Sequence, residues 1–261
     1  MWDNELRVAK EAAVKAGAAI MEIYEGGGDF EVEYKADESP LTKADKASDA
    51  IIVKVLRNRF PDYAILSEEE KDNKARLEND LCFVVDPLDG TKEFVKRNGQ
   101  FTVNIALSCR HRAVMGVIYV PVTGELYYAS EGDGAYLERK DGGLERLSVS
   151  SNTDHSNLRA VASSSHGAEE MERLIEKYQI RHILRIGSSL KGCLVAKGEA
   201  DVYYRHNPTM EWDTAAMQCI VEEAGGIFMQ MDDTPMRYNR EDSLNAKGFY
   251  AINAKENRLT L

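Results

Sequence analysis

Between residues 4 and 25 apolar side chains recur at helical spacing. Leu6, Ala9, Ala13, Ala16, Ile20 and Ile23 share one face, and Gly26-Gly27-Gly28 ends the run. A short strand at 32–34 leads into the loop "KADESPLTKAD". A second helix turns Ile51, Ile52, Val55, Leu56 and Phe60 inward and stops at Pro61. "YAILSEEE" reads as a strand running into an acidic turn, and residues 71–80 are polar enough for a surface loop. From 82 the period changes. Segments 82–86, 102–109, 113–120, 125–130 and 134–138 are rich in Val, Ile and Tyr and punctuated by turn residues, which predicts an antiparallel meander.

After about residue 150 strands and helices alternate. Strands are expected at 158–163, 182–186, 201–204, 227–230 and 248–253, and helices at 168–178, 188–197 and 212–224. The pattern predicts a helix-and-sheet sandwich, α+β in its first part and α/β in its second. It divides into a lobe at 1–150 and a lobe at 151–261 that pack tightly, with a site expected between them. No repeat, low-complexity stretch or flexible linker interrupts it.

Charge narrows the function. With 44 Asp+Glu against 33 Lys+Arg the net charge is −11, which disfavours a nucleic-acid-binding surface but not a small anion held locally. Cysteines 82, 109, 193 and 219 are far apart and form no CxxC pair, so buried reduced thiols are expected. Charged residues crowd the N-terminus and no run approaches membrane-spanning length, which together predict a cytoplasmic protein with no transmembrane segment.

The chemistry concentrates in "CFVVDPLDGTKEFVKRNG". A buried-looking strand runs into Asp86 and Asp89, and Pro87 lets the chain turn so that the two carboxylates approach. Unpaired charges against apolar sequence are costly, and a divalent cation offsets their repulsion. Two hard oxygens flanking the Leu88 carbonyl suit Mg²⁺ better than zinc, with Glu68 and Asp213 as further candidate ligands. Asp213, in "EWDTAAM", is equally placed to cap a helix. Gly90 and Thr91 open a short helix whose N–H groups can cradle a phosphate. Two ions about 4 Å apart would stabilise attacking and leaving oxygens, with Asp45 and Thr91 orienting the water. The three-residue spacing around Pro87 separates this box from the DxDGT of haloacid-dehalogenase phosphatases.

Five segments, "SPLTKAD", "LSEE", "VDPLDGTKEFVKRNGQFTVNIAL", "IGSSLKGCLVAKGEAD" and "WDTAA", resemble the lithium-sensitive inositol-monophosphatase-like superfamily. More narrowly they resemble its bacterial 3′(2′),5′-bisphosphate nucleotidase branch. The resemblance implies a layered αβαβα sandwich and hydrolysis of adenosine 3′,5′-bisphosphate to AMP and phosphate with two or three Mg²⁺ ions. It also implies inhibition by lithium. It maps metal binding onto Glu68, Asp86, the Leu88 carbonyl, Asp89 and Asp213, and water activation onto Asp45 and Thr91. From related yeast-type nucleotidases it suggests His166 beside the base, and Ser188, Lys191 and Arg205 around the phosphate that is not cleaved. Ser188 is then expected to begin a helix, with Lys191 one turn on. The bland alternative makes Ser188 a cap, Lys191 solvated and His166 a surface imidazole. Glu211 departs from the branch, where close relatives carry a more apolar residue, and adds an acid near Asp213.

The leading expectation is therefore a phosphomonoesterase acting on a small phosphorylated nucleotide, as a monomer or a homodimer. Inositol monophosphatase activity would need the carboxylates but no second phosphate pocket. A non-catalytic metal or nucleotide sensor would have no need of Asp45 and Thr91.

Overall fold

In the computed structural model, which describes residues 1–27, 30–34, 40–164 and 169–261, the run from 81 onward forms consecutive antiparallel strands. Leu81–Asp89, Thr102–Cys109, Arg112–Val120, Glu125–Ser130, Gly134–Glu138 and Leu144–Arg146 follow one another across a seven-stranded sheet. The strand Ala64–Ser67 joins its edge in parallel to Leu81–Asp89. The near-continuous apolar sequence of the central strands follows from burial on both faces. Side chains alternate between the two faces. Phe83, Val85, Ile105 and Leu107 thus meet helices α1 (Asp3–Glu25) and α2 (Lys43–Arg59), while Cys82, Val84 and Ala106 face the opposite core.

The second sheet has five strands, in the order His182–Ile186, Arg159–Ser163, Val202–Arg205, Phe249–Ile252, Ile227–Gln230. Its strands also alternate. Val161, Tyr203 and Ala251 face the core shared with the seven-stranded sheet, and Ala160, Tyr204 and Ile252 face the other way. Between the sheets lie α5 (Leu190–Ala196) and α6 (Glu211–Glu223), and α4 (Glu169–Lys177) covers the outer face with Met171 and Leu174. The remaining helix, α3 (Thr91–Val95), is a short one following the Asp89 strand. The order helix, sheet, helix, sheet, helix is the layered αβαβα sandwich. Among the described residues no helix is long and apolar enough to cross a membrane.

The middle layer sits unusually close to the seven-stranded sheet. A Cβ on Gly116 would lie 2.5 Å from the Ala216 carbonyl oxygen and 2.9 Å from its Cα, both backbone atoms of α6. Gly116→Ala should therefore push α6 outward at a cost of about 1–3 kcal/mol. Thermal unfolding should fall by about 2–12 °C; an unchanged melting temperature would refute the contact.

The segment 71–80 is not the simple surface loop its polarity predicts. A short helical turn at Ala75–Glu78 carries Arg76 inward until it is buried among polar partners.

Candidate active site

The strand carrying the two aspartates does not end at Asp86 but continues through Asp89 with a bulge. Asp86 pairs with Asn104 and Asp89 with Thr102, so three steps on one strand match two on its neighbour. Residues three apart on a regular strand point to opposite faces; one extra residue brings them to the same face. Pro87 occupies the bulge, where its missing N–H costs no ladder bond. The Leu88 N–H instead donates to Asp86 Oδ1 at 3.1 Å, and Ser48 of α2 donates to the Pro87 carbonyl at 2.7 Å. Gly90, with φ 94°, then turns the chain into α3. A side chain there would meet the Gln100 carbonyl oxygen at 2.9 Å.

Asp213 arrives from the first turn of α6. One carboxylate oxygen from each of Asp86, Asp89 and Asp213 lies within 4.8 Å of the others. Asp86 is buried, and burial together with the charges of Glu68, Asp89, Asp213 and Asp45 holds its carboxyl well above the usual carboxylate range. Burial and Asp89 push Asp213 up to about 7. Burial and the mutual repulsion of these acids disfavour ionisation, which is the electrostatic environment a bound cation would reverse. Glu68 stands at the end of its strand, its N–H donating to Val85 O at 3.2 Å. It lines the same cleft, although it is not one of the three mutually close carboxylates.

Asp89 is held with one oxygen committed. Oδ2 accepts from Ser189 N and Ser189 Oγ, both at 2.6 Å, and from Asn104 Nδ2 at 3.2 Å. Asn104 also donates to Ser189 Oγ at 2.9 Å and accepts from Thr102 Oγ1 at 3.0 Å. Ser189 and Asn104 are thus part of the site's hydrogen-bonded structure that sequence reasoning missed. They lie inside the "IGSSLKG" and "FTVNIAL" segments, but only the fold shows that their hydrogen bonds converge on one carboxylate.

Asp45 and Thr91 meet although 46 residues apart. Asp45 Oδ2 accepts from Thr42 N at 2.7 Å and Thr42 Oγ1 at 2.6 Å, a capping arrangement at the start of α2. Its other oxygen, Oδ1, receives Thr91 Oγ1 at 3.0 Å, and the same hydroxyl lies 3.2 Å from the Leu88 carbonyl. Burial raises the Asp45 carboxyl despite these donors.

The carboxylates open into a cleft of about 510 Å³ whose lining also includes Ser188, Lys191, Arg205 and Tyr203. Lys191 is buried rather than solvated, with Nζ donating to Ser188 O at 2.5 Å, and burial lowers it to about 8. Ser188 does not begin the helix. It sits before α5 in a left-handed conformation, φ 49°, and Ser189 takes the cap position. Arg205 ends its strand in the cleft wall with Nε buried and lacking a hydrogen-bond partner. His166 lies outside the described residues. Glu211, the extra acid near Asp213, does not add its charge to the cleft. It is fully buried and accepts the N–H groups of Asn239 and Arg240.

Known proteins resemble this chain over nearly its whole length. The chain is 39% identical over 240 residues to the 3′(2′),5′-bisphosphate nucleotidase CysQ of Escherichia coli K12, covering 92% of this chain and 96% of that protein. The crystal structure of CysQ from Bacteroides thetaiotaomicron, described as a bacterial member of the inositol monophosphatase family, is 45% identical. It superposes with a TM-score of 0.84 over 97% of this chain and 98% of that one. The extragenic suppressor protein SuhB of Bartonella henselae is 27% identical, with a TM-score of 0.80 over 97% and 94% of the two chains. The sequence pattern of the inositol monophosphatase family matches residues 1–259, and the chain belongs to that family.

Proposed function

We propose that this protein is a magnesium-dependent 3′(2′),5′-bisphosphate nucleotidase that hydrolyses adenosine 3′,5′-bisphosphate to AMP and phosphate. The observation that carries the reading is a single cleft lined both by carboxylates with Thr91 and by the cationic side chains of Lys191 and Arg205. A substrate with two phosphates on one ribose suits such a cleft. The relatives described as bisphosphate nucleotidases support the same choice.

Asp86, Asp89, Asp213, Glu68 and the Leu88 carbonyl would hold the ions, and the donor set is all oxygen, as Mg²⁺ requires. A metal held by these residues would supply Lewis acidity toward the phosphoryl oxygens and would ease the loss of a proton from the attacking water. The chain's own residues handle the proton. Thr91 Oγ1 passes its proton to Asp45 Oδ1 while accepting one from the attacking water. Burial raises the proton affinity of Asp45 and so suits it to that role. Gly90 and Thr91 line the cleft where the cleaved phosphate would sit. Ser188, Lys191 and Arg205 would hold the other phosphate, and His166 would lie beside the base. Residues 1–150 then form the metal-binding lobe, to which the substrate lobe at 151–261 contributes Asp213.

A phosphate-release panel tests the reading. Adenosine 3′,5′-bisphosphate should be turned over with Mg²⁺, not in EDTA, and lithium should inhibit. Equal or faster release from inositol 1-phosphate would replace this reading with an inositol monophosphatase. No release from either substrate would mark a non-catalytic sensor.

A further inference from the structure

The side chain two residues before Asp213 points away from the cleft into a buried polar network. Glu211 Oε2 accepts the N–H of Asn239 at 2.5 Å and Oε1 that of Arg240 at 3.0 Å. Two successive N–H groups converge on one anion because Asn239 is left-handed, φ 54°, which makes the backbone locally concave. The same segment grips the start of α6 at other points. Glu211 N donates to Ser243 O at 3.0 Å, and Asn245 Nδ2 donates to Met210 O at 2.8 Å and Thr214 Oγ1 at 3.1 Å.

The segment is fixed in turn by Arg76, which is 5% exposed. Its Nη1 donates to Asn239 Oδ1 and its Nη2 to Arg240 O, both at 2.8 Å. Asn239 Nδ2 returns bonds to Arg76 O at 3.2 Å and Asn79 O at 3.0 Å. Asp72 Oδ2 neutralises the guanidinium at 2.9 Å. Residues 72–79, the segment 239–245 and the first turn of α6 are thus one hydrogen-bonded unit. That unit holds Met210, whose N–H donates to Asp213 Oδ2 at 2.6 Å. Thr209, Met210 and Leu244 of the same unit line the cleft.

We propose that Glu211 and Arg76 are positioning residues for Asp213. They set where its free oxygen stands relative to Asp86 and Asp89, and so set the affinity of the cleft for a divalent cation. The inference rests on the metal-dependent reading above. Groups that orient ligands from behind are worth about 10–100-fold in metal affinity. Glu211→Gln keeps the size of the side chain but turns an NH₂ toward one of two N–H donors, so the turn can satisfy only one of them.

The test uses the full-length protein, Mg²⁺ titration calorimetry without substrate, and the Mg²⁺ dependence of phosphate release from adenosine 3′,5′-bisphosphate. In Glu211→Gln the dissociation constant for Mg²⁺ should rise about 10-fold, with kcat recovering toward wild type at saturating Mg²⁺. Asp201→Asn is the control. Asp201 is a buried carboxylate outside the cleft lining that anchors Arg159 and Ser150. Its loss should lower thermal stability and leave Mg²⁺ affinity unchanged. If Glu211→Gln merely loses stability and binds Mg²⁺ as the wild type does, the inference is overturned. Should that variant not fold, Arg76→Lys keeps the charge and loses the fork. A Mg²⁺ affinity about 3-fold weaker then supports the inference and wild-type affinity overturns it. Wild-type protein that neither binds Mg²⁺ nor releases phosphate would sink the underlying function instead.

Discussion

Asp86→Asn should make the metal-free protein more stable and the enzyme nearly inactive. Asp86 is 1% exposed and shares its surroundings with Glu68, Asp89, Asp213 and Asp45. The amide keeps an acceptor for the Leu88 N–H, which the carboxylate accepts at 3.1 Å, and adds a donor facing the other acids. The sign of the pH dependence follows. The native carboxyl is raised, so the folded chain binds a proton that the unfolded chain has released above about pH 4. Metal-free wild type therefore loses stability as pH rises from there toward the native value, and the variant loses less but still some, since the raised carboxyls of Asp213 and Asp45 remain. Relief of about 1–2 kcal/mol raises the melting temperature of a chain this size by about 2–8 °C, and the variant should melt higher by that margin at pH 7 in EDTA. Excess Mg²⁺ should reverse the order, because at 100 times its dissociation constant a ligand adds about 2.7 kcal/mol to the wild type alone. Phosphate release should fall about 10³-fold, the equivalent of about 4 kcal/mol of lost charge stabilisation. A variant less stable than wild type in EDTA would show that the carboxylates do not repel one another as placed.

Much of this was legible in the sequence because the strands are sheltered on both faces and their ends are marked by turn residues. The helix-and-sheet sandwich follows from the alternation of strands and helices, its layered αβαβα order from the family resemblance, and the approach of Asp89 to Asp86 from the proline between them. What the sequence did not show is the geometric device, a one-residue bulge, since its register depends on the partner strand at Thr102–Asn104. For the same reason Ser189 and Asn104 read as ordinary small polar residues. Their role depends on α5 bringing Ser189 across to Asp89 from 100 residues away. The sequence expectation starts the helix at Ser188, whose left-handed backbone is instead part of the turn that precedes Ser189. Glu211 shows the opposite case. A charge that looked like an addition to the cleft is consumed by a turn that sequence spacing could not place beside it.

Lys191→Met should separate turnover of the bisphosphate from turnover of small phosphomonoesters. The ammonium is buried between the Ser188 carbonyl and the Tyr203 ring, 5.4 Å from the ring centroid, and methionine fills most of that volume. Truncating one partner of a buried charge pair costs about 2–5 kcal/mol. For adenosine 3′,5′-bisphosphate kcat/KM should thus fall about 30-fold or more. A small phosphomonoester has no second phosphate for Lys191 to hold and should lose less than about 3-fold. The wild type adds an independent check through pH. Burial lowers Lys191 to about 8, so the free enzyme carries its positive charge below that pH and loses it above. The kcat/KM for the bisphosphate should accordingly decline above about pH 8 while that for the small phosphomonoester does not follow, and in Lys191→Met this difference between substrates should vanish. Equal losses on both substrates in the variant would place Lys191 in the scaffold of the Ser188 turn and leave the second phosphate to Arg205 alone.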